Sequence, residues 1–326
     1  MAIGTPGIFL GSDASGASSS ERDSRRGDKA VHGFLFLIAA GILTLIALLV
    51  FKLYQDSALS IHKFHWSFFV TSTWDPVAGQ FGALPFIYGT VVTATLALMI
   101  SVPVGLGAAI FLAELAPPTV SNALTFAIEL LAAIPSVIYG LLGIFVLVPI
   151  MRVAVIPALK GSLGFLPLFQ GPNYGIGMLT AGVVVSVMLL PFIISISRES
   201  LLAVPREQRE AALAVGATRW EATWDAVVPF ARLGIIGSVF LALARALGET
   251  MAVTMVIGNT PQIKASLLAP GYSIAAVIAN EFKEATSDLH LSSLVELGLV
   301  LFLITMVINA LARLMVLATT RRGSSR

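Results

Sequence analysis

Not one of the 326 residues is cysteine. That excludes a disulfide framework and any thiolate metal site, and it leaves the redox compartment unreadable. Charge is scarce too: Asp, Glu, Lys and Arg make up 12% of the chain, against roughly 25% in an average soluble domain. Histidine is limited to His32, His62, His65 and His290. His62 and His65 stand three apart, but nothing nearby supplies the further ligands a metal needs. The sequence contains neither Gly-Lys-Ser nor Gly-Lys-Thr, so it has no phosphate-cradling loop of the G-x-x-x-x-G-K-[ST] type. His-Glu-x-x-His and the Gly-x-Ser-x-Gly elbow are missing as well, which argues against an intramembrane enzyme. If ATP drives any work here, another chain hydrolyses it.

What is present is apolar. Hydrophobic residues form 57% of the chain, gathered in runs near or above the roughly 20 residues a helix needs to cross a bilayer. The expectation is an all-α integral membrane protein with six transmembrane helices at 33–51, 84–112, 123–150, 176–197, 231–258 and 294–318. Pro103 and Pro135 fall inside the second and third spans and predict kinks. Gly105, Gly107, Gly140 and Gly143 would let helix backbones approach closely. The stretch 150–175 is interrupted by Pro and Gly and reads as a loop, partly interfacial. Residues 1–30, rich in Ser, Gly and charge, read as a disordered arm. The apolar run that follows has no small-residue cleavage site, so it is expected to remain as an anchor rather than leave as a signal peptide.

Lys and Arg predict the orientation. With the N-terminus inside, thirteen of these residues fall on cytoplasmic segments, six fall outside, and Arg245 lies within the membrane. The bias places both termini in the cytoplasm of a multi-pass inner-membrane protein.

The largest cytoplasmic connection is 198–230. Pro205 suits the first turn of a helix over "REQREAALAV", and Gly216 is placed to end it. Thr218 with Glu221 forms a capping box for a second helix, which Val228 and Pro229 are expected to stop. Two short helices with a bend at Gly216 result. On chemistry alone this reads equally as an amphipathic loop on the lipid surface. Its pattern, however, resembles the EAA loop of binding-protein-dependent ABC importer permeases: Glu-Ala-Ala, three residues, Gly, nine residues, Ile-x-Leu-Pro. Glu210, Ala211, Ala212, Gly216 and Pro229 all fall on that spacing, while Ala226 and Val228 stand where Ile and Leu are usual. The resemblance implies a coupling loop that docks on an ATP-hydrolysing subunit.

Arg245 and Glu249 interrupt the fifth apolar run in "LARALGETMAV" (243–253). Read as one helix, they share a face at i and i+4, near mid-membrane, where a charge costs about 2.5–3.5 kcal/mol on insertion scales. They make either a self-neutralised salt bridge that fixes packing or a transport path. In the second case Arg245 attracts an anion, since arginine grips a tetrahedral oxyanion with two parallel hydrogen bonds, and Glu249 holds the guanidinium while the path is empty. "RALGETMAV", "IELLAAIPSVIYGLLG" (128–143) and the EAA loop together resemble the permease subunits of phosphate ABC importers, over about 31–318. That resemblance implies Arg245 and Glu249 as pathway residues. It also implies a second, related permease, two ATPase subunits carrying ATP and Mg, an extracytoplasmic phosphate-binding protein, and no cofactor on this chain.

Glu129 either pairs with Arg245 or another basic group, or acts as a structural hydrogen-bonding residue. Ser136 and Tyr139 either satisfy backbone groups freed by Pro135 or line a path. Glu296 reads as exposed at the outer interface. No residue points to nucleic acid. The readings that compete with phosphate are a permease for another oxyanion, such as sulfate or molybdate, and a gradient-driven secondary transporter. The EAA spacing argues against the second of these.

Overall fold

The structure, a computed structural model, describes the backbone of residues 17–323 and the side chains of residues 31–314. The described residues are helical, with no strand beyond a single bridge between Asp75 and Gln80. The helices are α1 (Ala17–Asp56), α2 (Ala58–Phe64), α3 (Ser67–Val70), α4 (Leu84–Leu115), α5 (Pro118–Ala132) and α6 (Ser136–Leu163). They continue with α7 (Met178–Leu202), α8 (Arg206–Ala214), α9 (Arg219–Leu247), α10 (Met251–Val256), α11 (Ile274–Glu281) and α12 (Asp288–Gly323). Six helices are long and apolar enough to cross a membrane: the 31–56 part of α1, then α4, α6, α7, α9 and the 288–314 part of α12.

The chain divides into two units, Met1–Gln55 and Asp56–Arg326. Residues 1–16 of the expected arm lie outside the described residues. From Ala17 onward the backbone is helical and runs without a break into the first span, which revises the expectation of a wholly disordered 1–30.

In the second unit α4 and α7 form the central pair. Gly182 in α7 makes this possible, because a Cβ there would sit 2.8 Å from the Cβ of Leu96. Gly105, Gly140 and Gly143 are likewise pressed against neighbours, whereas Gly107 faces open space and serves no such contact. Around this pair Ala97, Ala181, Val185, Leu189, Ala242 and Val253 are buried. Lipid tails are as apolar as these side chains, so close van der Waals packing, not water exclusion, holds them. A second cluster at one end gathers Phe68, Phe81, Phe86, Tyr272, Leu294 and Leu297. A third gathers Leu112, Leu201, Val204, Val227 and Ile235.

Three expectations change, and proline explains each. The third span does not run 123–150. α5 ends at Ala132 and α6 starts at Ser136, because Pro135 has no N–H to continue the ladder and forces the preceding residue out of the helical region. The loop expected over 150–175 is helical as far as Leu163. The second helix of the 198–230 connection does not stop at Pro229 but continues unbroken to Leu247.

In the last two cases wide π-turns absorb the prolines. Such turns occupy 143–147, 151–155 and 223–227, each two residues before a proline: Pro149, Pro157 and Pro229. A proline inside an α-helix clashes with the carbonyl one turn back and leaves it unbonded. Opening the turn by one residue re-routes that carbonyl. A fourth π-turn, 111–115, ends α4 two residues before Pro117 and closes with a 2.8 Å bond from Ala116 N–H to Phe111 O.

Candidate functional site

α9 breaks within the 243–253 stretch that carries Arg245 and Glu249. The helix ends at Leu247, Gly248 caps it, and residues 249–250 are not helical before α10 begins. Arg245 and Glu249 therefore do not share one helix face, contrary to expectation. Glycine costs helix about 1 kcal/mol relative to alanine, and Gly248 falls where the helix stops. Arg245 lies in the last turn of α9, where a cation meets the negative end of the helix dipole. The Glu249 carboxylate accepts a 3.1 Å bond from Ala252 N–H and so caps α10.

Arg245 is half-buried, and its guanidinium carbon lies 4.2 Å from the centroid of the Phe192 ring. Its Nε is buried with no hydrogen-bond partner. Glu249 is 9% exposed. Among the described residues no ion pair joins the two, so the self-neutralised bridge is not formed in this conformation. From Pro229, Arg245 is 16 residues further on, about 24 Å along the axis at 1.5 Å per residue, within a hydrocarbon core roughly 30 Å thick. Broken helices and exposed backbone groups persist at such depth only where protein buries them or where they line a wet cavity.

Glu129 is not brought to Arg245. It lies exposed on α5, no ion pair links them among the described residues, and its backbone carbonyl accepts from Ala133 N–H at 3.2 Å. The Tyr139 hydroxyl donates a 2.8 Å bond to Leu131 O across the break at Pro135, joining the Ile134 N–H that reaches the same carbonyl at 3.2 Å. Glu296 is buried at 3% exposure, not exposed at an interface. This face of α12 turns toward α2, where Ser60 meets Ser292 and Ser293, and the Glu296 Oε2 is left without a partner there.

The 198–230 connection forms two helices meeting at a sharp bend. α8 has no buried residue; Glu210 and Ala211 are exposed and Ala212 is half-buried. Gly216 adopts φ +92° with open space around it, a left-handed conformation that side-chain-bearing residues rarely take. The Ala217 N–H donates to Ala212 O at 3.2 Å and closes the end of α8. Thr218 and Glu221 form the expected capping box. Pro229 belongs to α9, beyond its π-turn. The bend and the Arg245 break thus lie at the two ends of one continuous helix, about 40 Å apart.

Two groups escaped the sequence reading. Arg209, immediately before Glu210, pairs with Glu114 at 2.7 Å. At the other end, Glu281 accepts from Trp74 Nε1 at 2.9 Å and lies 3.1 Å from Nε2 of buried His290. Nearby, burial pushes the Tyr272 phenol up to about 12, and Asn280 donates to its oxygen. The Arg209–Glu114 pair and the Trp74–Glu281 bond link residues 95 and 207 positions apart in sequence, which no local pattern announces.

An all-α chain with six helices long and apolar enough to cross a membrane, a bent two-helix connection and a broken charged span has the form of a transporter subunit. Residues 101–322 match the family of binding-protein-dependent transport system inner membrane components, and the chain belongs to that family. Within it, the chain is 48% identical over 87% of its length to the phosphate transport system permease protein PstC of Mesorhizobium japonicum, covering 89% of that protein. It is 51% identical over 78% of its length to the protein of that name from Xylella fastidiosa strain Temecula1, covering 80% of it. Against the probable phosphate transport system permease protein PstC of Methanocaldococcus jannaschii the identity is 36%, over 84% of this chain and 89% of the other. Two solved structures show the same fold. One is a bacterial ABC transporter involved in the import of the acidic polysaccharide alginate (TM-score 0.56, 15% identity, 88% of this chain and 98% of the other). The second is the MetNI methionine ABC transporter (TM-score 0.51, 18% identity, 76% and 99%). The chain is a multi-pass permease subunit, not itself an enzyme.

Proposed function

We propose that this chain is the transmembrane subunit of an ATP-driven importer that carries inorganic phosphate across the cytoplasmic membrane. The observation that carries the anion reading is Arg245: a half-buried guanidinium at a helix break in the membrane, with a buried Nε and no partner for it. A cation kept at such depth normally marks a substrate path, and the names of the curated relatives supply phosphate as the anion.

The mechanism follows from the elements. Both termini and the α8–Gly216 bend face the cytoplasm. Ala211, Ala212 and Gly216, with the charge of Glu210 beside them, present a small-residue surface to an ATPase partner, which binds ATP and Mg and hydrolyses the nucleotide. α9 carries that partner's movement from the bend to the Arg245 break. A second, related permease completes the pathway, and an extracytoplasmic phosphate-binding protein delivers the solute. Arg245 donates two parallel hydrogen bonds to phosphate oxygens. Glu249 is an acceptor only, so it takes a hydrogen bond from the O–H of monohydrogen phosphate and repels sulfate, which has no O–H to give. Glu129 and Pro229 take no direct part: the first is exposed on α5 and the second shapes the π-turn.

The test is uptake of labelled phosphate into vesicles containing the complete complex, with sulfate as competitor. Phosphate uptake that needs ATP and resists excess sulfate supports the proposal. Uptake of sulfate instead, or uptake driven by an ion gradient without ATP, refutes it.

A further inference from the structure

Arg209 is the residue by which α8 grips the bundle. None of the residues of α8 is buried, so the helix has no apolar anchor of its own. Arg209 reaches inward instead, its side chain 22% exposed, to Glu114, whose side chain is 10% exposed. The contact is a fork: Nη2 donates to Glu114 Oε1 at 2.7 Å and Nε donates to Oε2 at 3.1 Å. The same guanidinium donates to Leu201 O at 2.7 Å and to Val204 O at 2.6 Å. Leu201 belongs to the last turn of α7, whose carbonyls have no partner within the helix. One side chain therefore ties α8 to two spans, to the end of α7 through Leu201 O, with Val204 O in the turn that follows, and to α4 through the carboxylate on its terminal π-turn.

We propose that the Arg209–Glu114 fork is the positioning contact that passes movement of α8 to α4 and α7, so that its loss uncouples transport from ATP hydrolysis. The inference rests on the proposed function and adds residues that the Glu-Ala-Ala pattern does not include. Fork geometry fixes direction as well as distance; α8 pushed from outside moves both spans with it. With the fork cut, α8 shifts without them, and the freed carboxylate and two carbonyls lose their shared donor.

The test uses the complete complex in vesicles and reads phosphate moved per ATP hydrolysed. In Glu114→Ala and in Arg209→Lys, which keeps the charge but not the fork, ATP hydrolysis continues while the ratio falls about tenfold, a size reached by coupled contacts. An unchanged ratio in assembled Arg209→Lys complexes overturns the inference even if Glu114→Ala fails to assemble, since fewer but normally coupled complexes mean a merely structural role. A second readout needs no transport. Because the chain has no cysteine, a spin label on Val215→Cys, an 86% exposed position, reports α8 alone. Adding Arg209→Lys should raise its mobility, and unchanged mobility overturns the inference. If the wild type moves no phosphate, the functional reading fails while the label still judges the fork.

Discussion

Arg245 was visible in sequence because a charge inside an apolar run is expensive, about 2.5–3.5 kcal/mol on insertion scales. What the sequence did not show was the break after Leu247, which puts Glu249 on α10's cap instead of on Arg245's face. Glu296 was misread for a related reason: hydropathy gives depth along a helix but not which face is covered, and here α2 covers it. Two predictions belong to single side chains. Glu249→Gln should keep phosphate binding but relax its preference over sulfate, measured as sulfate inhibition of labelled phosphate uptake, because an amide no longer repels the fully ionised anion. Tyr139→Phe removes the bond to Leu131 O across the Pro135 break. It should destabilise the purified subunit by about 1 kcal/mol, read as a lower melting temperature in detergent.

Elements were legible to the extent that prolines behaved as helix breakers. Pro135 did. Pro149, Pro157 and Pro229 did not, because each sits two residues beyond a π-turn, and a turn of one extra residue leaves no mark in apolar periodicity. The helix running from the 216–218 bend to Arg245 was therefore hidden, although its start was readable from Thr218 and Glu221 and its approach from Gly216. That glycine carries the sharpest element-level prediction. At φ +92° a β-branched residue is strained by about 1–3 kcal/mol, although space is free around it. Gly216→Val should thus re-aim α8 without disturbing the spans. ATP hydrolysis should continue with less phosphate moved per ATP, and unchanged coupling would remove this bend from the mechanism.

On the scale of the whole molecule the six-span, all-α plan was readable from composition alone, since 57% hydrophobic residues in runs of span length admit little else. The pairing of distant segments, such as Arg209 with Glu114, came only with the fold. The orientation we propose rests on the charge bias of the loops, and the cysteine-free background makes it measurable. A cysteine at Val215 should react with a membrane-impermeant thiol reagent only from the cytoplasmic side, and one at Val77, 98% exposed, only from the other. The reverse labelling would invert the orientation and the direction of transport with it. The central claim is that the unpartnered guanidinium at the α9 break recognises the transported anion. Its most direct test is phosphate uptake by vesicles containing the complete complex with Arg245→Ala or Arg245→Lys, with ATP hydrolysis recorded in the same preparation. The account predicts assembled complexes that hydrolyse ATP and import almost no phosphate, with lysine restoring little because it lacks the planar fork. Uptake by Arg245→Ala at the wild-type rate would contradict it.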